Sequence, residues 1–230
     1  MASRFKVCVF DAYGTLFDVH AAVAEHAGAI GSRADEVSRL WRAKQLEYTW
    51  TRTLMGRHAD FWTLTCEALD VALATHAVDG KTVRAALLDA YRRLSAYPEV
   101  PGVLTRLRAA GLKTAILSNG TPGMLRDAVA AAGIAALLDA VLSIEDIGIY
   151  KPDARVYDLA RDRFGVAAQD ICFLSSNAWD AAGAAVFGFE VAWINRGGAP
   201  PEYGFAKPAV VLPSLAALPD FVLGREAAAP

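Results

Sequence analysis

The sequence predicts an α/β protein: a parallel sheet with helices on both faces and a helical insertion after the first strand. Three observations carry this. A short apolar run, Phe5 to Phe10, ends at Asp11 and a Gly-bearing turn; residues from about 21 to 94 hold helical periodicity and no strand; from Pro101 onward short apolar strands alternate with helices. Such alternation builds βαβ units, whose parallel strands need helical crossovers of the usual right hand. The simplest architecture puts the first strand in the same sheet as the later ones. Residues 1-17 and 98-230 then form the core, and residues 18-97 are inserted as a cap over the sheet's carboxyl edge.

Each element has its own signal. In the insert, Ser32-Arg-Ala-Asp35 reads as a capping box opening a helix with Val37, Leu40, Trp41, Tyr48 and Met55 on one stripe, closed by Gly56. A second helix carries Phe61, Leu64, Ala68, Leu69 and Ala72. A third carries Val83, Leu87, Ala90, Tyr91 and Leu94 and stops before Tyr97-Pro98. In the core, the helix ending at Gly111 leads into the strand Leu112 to Leu117, which ends in Ser118-Asn119-Gly120. The helix through Leu125 and Val129 leads into the strand Ala140 to Ser143, and Tyr150-Lys151-Pro152 opens the helix Arg155 to Phe164. The strand Ile171 to Leu174 ends in Ser175-Ser-Asn177-Ala-Trp179-Asp180, followed by a helix to Phe187 and the strand Val191 to Ile194. The Ala-rich end, Arg225 to Pro230, is expected to fray.

Bulk properties narrow the class of function. The chain has 230 residues, 54% of them hydrophobic, and a net charge of −2, enough for one sizeable core and no electrostatic footprint for nucleic acid or an anionic membrane. A small-molecule partner is expected. Cys8, Cys66 and Cys172 lack CxxC spacing and are odd in number, which points to core thiols in a cytoplasmic protein. The four histidines have no ligand spacing, so no metal site is expected, and no run of residues is long enough for a signal or a membrane span.

In open α/β sheets ligands sit beyond the carboxyl ends of the strands. Asp11, Ser118, Lys151 and the segment Asn177 to Asp180 all fall there, and the insert helix bearing Arg42 lies above them. Asp11 taken alone is a turn cap, a metal ligand or a nucleophile. The set together supplies a carboxylate, an ammonium that keeps it ionised, hydroxyl and amide donors, and a second carboxylate able to hold Lys151 or a water.

The segments Phe10-Asp11-Ala-Tyr-Gly-Thr15-Leu-Phe17, Leu117 to Gly120, Tyr150 to Pro152 and Ser175 to Asp180 resemble the four loops of the haloacid dehalogenase-like superfamily. With Trp41-Arg42-Ala43-Lys44-Gln45-Leu46-Glu47-Tyr48 they are similar to its L-2-haloacid dehalogenase branch. The resemblance covers nearly the whole chain and implies a Rossmann-like core, no cofactor, a short 2-haloacid substrate, release of halide, and a homodimer. It implies that Asp11 attacks the carbon bearing the halogen with inversion and that Arg42 receives the halide beside Tyr13, Phe61 and Trp179. Ser118 and the turn at Asn119 would bind the substrate carboxylate, with Leu46 in the same pocket. Asn177 and Asp180 would position the water that hydrolyses the aspartyl ester, and Lys151 would polarise it. Thr15 and Ser175 would bond to Asp11 or Lys151, and Tyr157 would reach back toward the cleft. Ala43 departs from the polar residue often found beside the arginine.

Most of the superfamily are magnesium-dependent phosphomonoester hydrolases, and residues here argue against that. Such enzymes carry Asp-x-Asp in the first loop to protonate the leaving oxygen; this chain has Tyr13. Without a divalent ion, Asp11 facing one unit of phosphate charge at about 4 Å is opposed by roughly 4 kcal/mol at an effective dielectric near 20. Halide leaves without a proton, so losing the second Asp costs nothing. A non-catalytic binding module on the same fold is the other reading, opposed by the intact Asp11, Lys151 and Asp180. An NAD-binding fold would need a Gly-x-Gly-x-x-Gly after the first strand, which the chain lacks.

Overall fold

The computed structural model describes residues 3–224. The strands β1 (Val7–Phe10), β2 (Lys113–Ser118), β3 (Ala140–Ser143), β4 (Ile171–Ser175), β5 (Glu190–Ile194) and β6 (Val210–Leu212) form one sheet in the order β3-β2-β1-β4-β5-β6. Every neighbouring pair is parallel. The first strand therefore sits inside the sheet rather than at its edge, and all four of its residues are buried. Burying side chains such as Val9 and Phe10 from both faces contributes about 1.5–3 kcal/mol each.

Register decides what this strand delivers. Phe10 pairs with Ile116 on one side and Leu174 on the other, so Asp11 stands level with the last residues of β2 and β4. Its amide donates to Leu174 O at 2.8 Å, which keeps the backbone in line while the side chain turns to the strand ends.

Between β1 and β2 lie α1 (Ala21–Glu25), α2 (Ala27–Ile30), α3 (Ala34–Met55), α4 (Phe61–Thr75) and α5 (Gly80–Arg92). Asp60 and Asp79 cap α4 and α5, accepting from the amides of Thr63 and Lys81. The expected capping box does not form: Ser32 lies inside a 3-10 turn over Gly31–Arg33, and α3 starts after Arg33 with no side-chain cap. The buried stripe of α3 is Val37, Trp41, Gln45 and Thr49; Leu40 and Tyr48 flank it, and Met55 is exposed. That stripe is half polar because α4 offers partners. Trp41 Nε1 donates to Thr65 O at 2.9 Å and Gln45 Nε2 to Thr65 Oγ1 at 2.9 Å, fixing the rotation of α3 about its axis.

The rest of the core follows the predicted alternation through α6 (Val100–Ala109), α7 (Pro122–Ala131), α8 (Ala154–Phe164) and α9 (Ala178–Phe187), closing with α10 (Leu218–Val222). The strand β6 is an addition to the expected five; it follows a Pro- and Gly-rich stretch and finds its partner only beside β5. Cys8 and Cys172 are buried thiols opposite each other on β1 and β4, and Cys66 is half-buried. No helix among the described residues is long and apolar enough to cross a membrane. The Ala-rich segment 225–230 lies outside the described residues.

Candidate active site

Asp11 is the centre of the constellation, and both of its oxygens are bonded. Lys151 Nζ donates to Oδ1 at 3.2 Å; Thr15 Oγ1 and Asn177 Nδ2 donate to Oδ2 at 3.1 and 2.9 Å. Thr15 is held in turn, accepting from the Ser176 amide at 2.8 Å. The loop that carries Asp11 is thereby fastened to the loop after β4.

Lys151 is 1% exposed and bridges two carboxylates, donating to Asp180 Oδ2 at 2.9 Å as well as to Asp11. Burial alone would lower its pKa; the charges of Asp11 and Asp180 outweigh that and raise it above 10.5, so the group stays an ammonium. Asp180 is fully buried, and burial pushes its carboxyl up against the pull of Lys151. Its second oxygen accepts from the Tyr157 hydroxyl at 2.8 Å. Burial and the neighbouring Asp180 carboxylate raise the Tyr157 phenol well above its ordinary value, which keeps it a donor. Of the two uses open to Asp180, holding Lys151 is the one seen. The main-chain N–H of Lys151 donates to Asn119 Oδ1 at 3.2 Å, so Asn119 ties the loop after β2 to the lysine.

Arg42 reaches down from α3. Its Nη2 donates to Tyr13 O at 3.2 Å and to Asn177 Oδ1 at 3.5 Å, while Nη1 is buried with no hydrogen-bond partner among the described residues. Around it stands an aromatic cluster. Tyr13 lies 5.9 Å from Phe61 and stacks on Tyr91 at 5.6 Å, and Tyr91 packs on Trp41 at 5.0 Å. Burial raises the Tyr13 phenol well above its ordinary value.

Several predicted residues take other places. Ser175 Oγ accepts from the Asn177 amide at 3.1 Å and bonds to neither Asp11 nor Lys151, because the loop after β4 turns back on its own strand end. Ser118 Oγ likewise accepts from the Gly120 amide at 3.1 Å; it is fully buried at the end of β2, on the same sheet edge as Asp11. Trp179 stands apart from the aromatic cluster, packing edge-on against Trp50 at 5.3 Å in a cleft of about 780 Å³ that also borders Lys151 and Pro152. Leu46 is half-buried one helical turn beyond Arg42.

The sequence reading assigned no role at the site to Tyr91, Gly120 and Gly183. A Cβ on Gly120 would stand 2.7 Å from the Tyr13 ring, and one on Gly183 would stand 2.6 Å from the Tyr157 hydroxyl. The turn at Ser118-Asn119-Gly120 marks Gly120 as a bend, but nothing local to it announces Tyr13.

A parallel sheet whose first strand carries such a carboxylate at its end, under a helical insert, defines a class of hydrolase. The haloacid dehalogenase-like hydrolase family model matches residues 5–188, and the chain belongs to that family. Within it, the chain is similar to (S)-2-haloacid dehalogenase 1 of Pseudomonas sp. (strain CBS-3), 54% identical over 219 residues that cover 95% of this chain and 96% of the relative. A solved dehalogenase superposes with a TM-score of 0.95 at 49% identity, covering 97% of this chain and 99% of that one. The L-2-haloacid dehalogenase of Xanthobacter autotrophicus with chloropropionic acid covalently bound superposes with a TM-score of 0.87 at 40% identity, covering 96% and 99%.

The magnesium site used by phosphohydrolases of the superfamily does not fit these residues. Tyr13 fills the position where the first loop of those enzymes carries its second acidic residue.

Proposed function

We propose that the protein hydrolyses short L-2-haloalkanoic acids to D-2-hydroxy acids, with inversion and through an aspartyl ester. The observation that carries this reading is the pairing of a clamped Asp11 with the unpartnered Nη1 of Arg42 in one buried site, next to Tyr13 where a phosphatase would hold its acid. The relatives named above support the substrate class.

The chemistry follows from where charge moves. Asp11 Oδ1 has one donor, Lys151, while Oδ2 has two, so Oδ1 is the freer to attack. As the new C–O bond forms and the carbon–halogen bond breaks, negative charge passes from Asp11 to the departing halide. Arg42 interacts more strongly with that developing ion than with the substrate's covalent halogen, so its contribution falls on the transition state. Ser118 and the neighbouring turn amides take the substrate carboxylate, and Asn119, Leu46 and Phe61 bound the pocket. Water then attacks the ester's carboxyl carbon, positioned by Asn177 and activated beside the Lys151–Asp180 pair. Asp11 is released and its oxygen leaves in the hydroxy acid.

The helical insert, residues 18-97, acts as the cap that brings Arg42 to the site. The free thiols support a cytoplasmic location, and exposed Leu54, Met55 and Val71 on the insert support a homodimer. The test is halide release. EDTA-treated protein given L-2-chloropropionate should liberate chloride and D-lactate; no chloride, together with Mg²⁺-dependent phosphate release from a phosphomonoester, would overturn the reading.

A further inference from the structure

Two stretches of chain connect the sheet to the helical insert, and they run against each other. Tyr97 N donates to Leu16 O at 2.9 Å, Asp18 N to Ser95 O at 3.2 Å, and Phe17 and Ala96 form an antiparallel bridge. Their mutual position sets where Arg42 falls over Asp11.

A side chain from the loop after β5, at the same edge of the sheet, grips both. Arg196, two residues past β5, donates from Nη2 to Thr15 O at 3.1 Å on the outgoing stretch. On the returning stretch its Nη1 pairs with Glu99 Oε1 at 2.7 Å, an ion pair with angles outside the hydrogen-bond range, and its guanidinium carbon lies 3.6 Å over the Tyr97 ring. Solvated surface pairs fix little, but these side chains are only 21% and 19% exposed, and a planar fork making three contacts of different kinds holds one geometry. Burial would raise the Glu99 carboxyl; the bond from its own backbone N–H and the positive charge of Arg196 outweigh that and lower it, so the pair stays charged.

Thr15 is the residue whose hydroxyl donates to Asp11 Oδ2 and accepts from the Ser176 amide. We infer that Arg196 is a positioning residue for the reaction: it locks the two connecting stretches together and, through Thr15, fixes the rotamer of Asp11 while seating the insert. Its kinetic consequence rests on Asp11 being the nucleophile proposed above. Its structural consequence does not.

The test uses the full chain and three variants, Arg196→Met, Arg196→Lys and Glu99→Gln. With the nucleophile's aim disturbed and the pocket intact, Arg196→Met should lower kcat by about 10-fold or more while KM stays within about threefold. Arg196→Lys keeps the charge without the fork and should recover part of that loss. In hydrogen exchange, the amides of Asp18 and Tyr97 should exchange about 10-fold faster in Arg196→Met, with the Val9 and Ile116 amides of the sheet unchanged. If Arg196→Met does not fold, Glu99→Gln is read instead, with the same direction and a smaller size. A folded variant with unchanged kcat and unchanged exchange at Asp18 and Tyr97, or with exchange accelerated equally in the sheet, would overturn the inference. Should the wild type release no halide, the dehalogenase reading falls, and the exchange comparison alone decides the clamp.

Discussion

At the sheet edge Lys151 Nζ is shared by Asp11 and Asp180, and Tyr157, Thr15 and Asn177 fill the remaining oxygens; the insert offers Arg42, whose Nη1 is buried without a partner among the described residues. The first half is a closed network that exists before any ligand arrives. The second is a cation with a free donor, which the proposed reaction would complete with the departing halide. A nucleophile must be aimed in advance, since misplacing it by an ångström costs orders of magnitude, whereas a leaving-group site acts only once charge appears. The two halves should therefore respond differently to damage.

The largest effect is expected on the sheet side. Lys151→Met leaves two buried carboxylates facing each other, and removing one partner of a buried ion network typically costs about 3–5 kcal/mol. Urea titration should show that loss and chloride release should cease. Arg42→Lys should leave stability within about 1 kcal/mol, because the residue makes few bonds, yet lower kcat/KM by about 10²–10³. Equal stability losses at the two positions would erase the distinction between them.

Gly120→Ala probes the seam between the halves. Its Cβ would stand 2.7 Å from the Tyr13 ring, which is buried and cannot swing away. Thermal unfolding should report a loss of about 1–3 kcal/mol, the usual cost of overpacking, with a rise in KM as Tyr13 shifts. The smallest effect is on pH dependence. Because the folded state raises the Lys151 pKa, its ion pairs are fully present below the unfolded value and are lost as pH rises through the folded one. Turnover and stability should thus hold on the alkaline side to at least the ordinary lysine value of 10.5, and an alkaline limb of kcat near pH 8 would contradict that.

The sequence was most legible where the cause is local. Alternating helix and strand placed β1 to β5 within a residue or two; the ends of β1, β2 and β4 carry Asp11, Ser118 and Asn177 to one edge, and the turn before α8 brings Lys151 beside them. What was not legible depends on distant partners. The strand β6 is three residues long and acquires its role only beside β5. Ser32 lost its capping role to a 3-10 turn, and Ser175 spends its hydroxyl on its own loop. The resemblance puts Trp179 in the aromatic pocket, but it packs instead on Trp50, over a hundred residues away in sequence. Arg196 carries no motif at all; its meaning is the crossing of two segments that meet only in the fold.

The central claim is that Asp11 attacks carbon and is then regenerated by water. A single turnover of L-2-chloropropionate by excess protein in H₂¹⁸O, followed by peptide mass spectrometry, tests it most directly. The expected result is one ¹⁸O in the peptide bearing Asp11 and unlabelled oxygen in the new hydroxyl of the lactate. Label in the product hydroxyl during that first turnover, with the Asp11 peptide unlabelled, would mean that water attacks the substrate directly and would contradict the account.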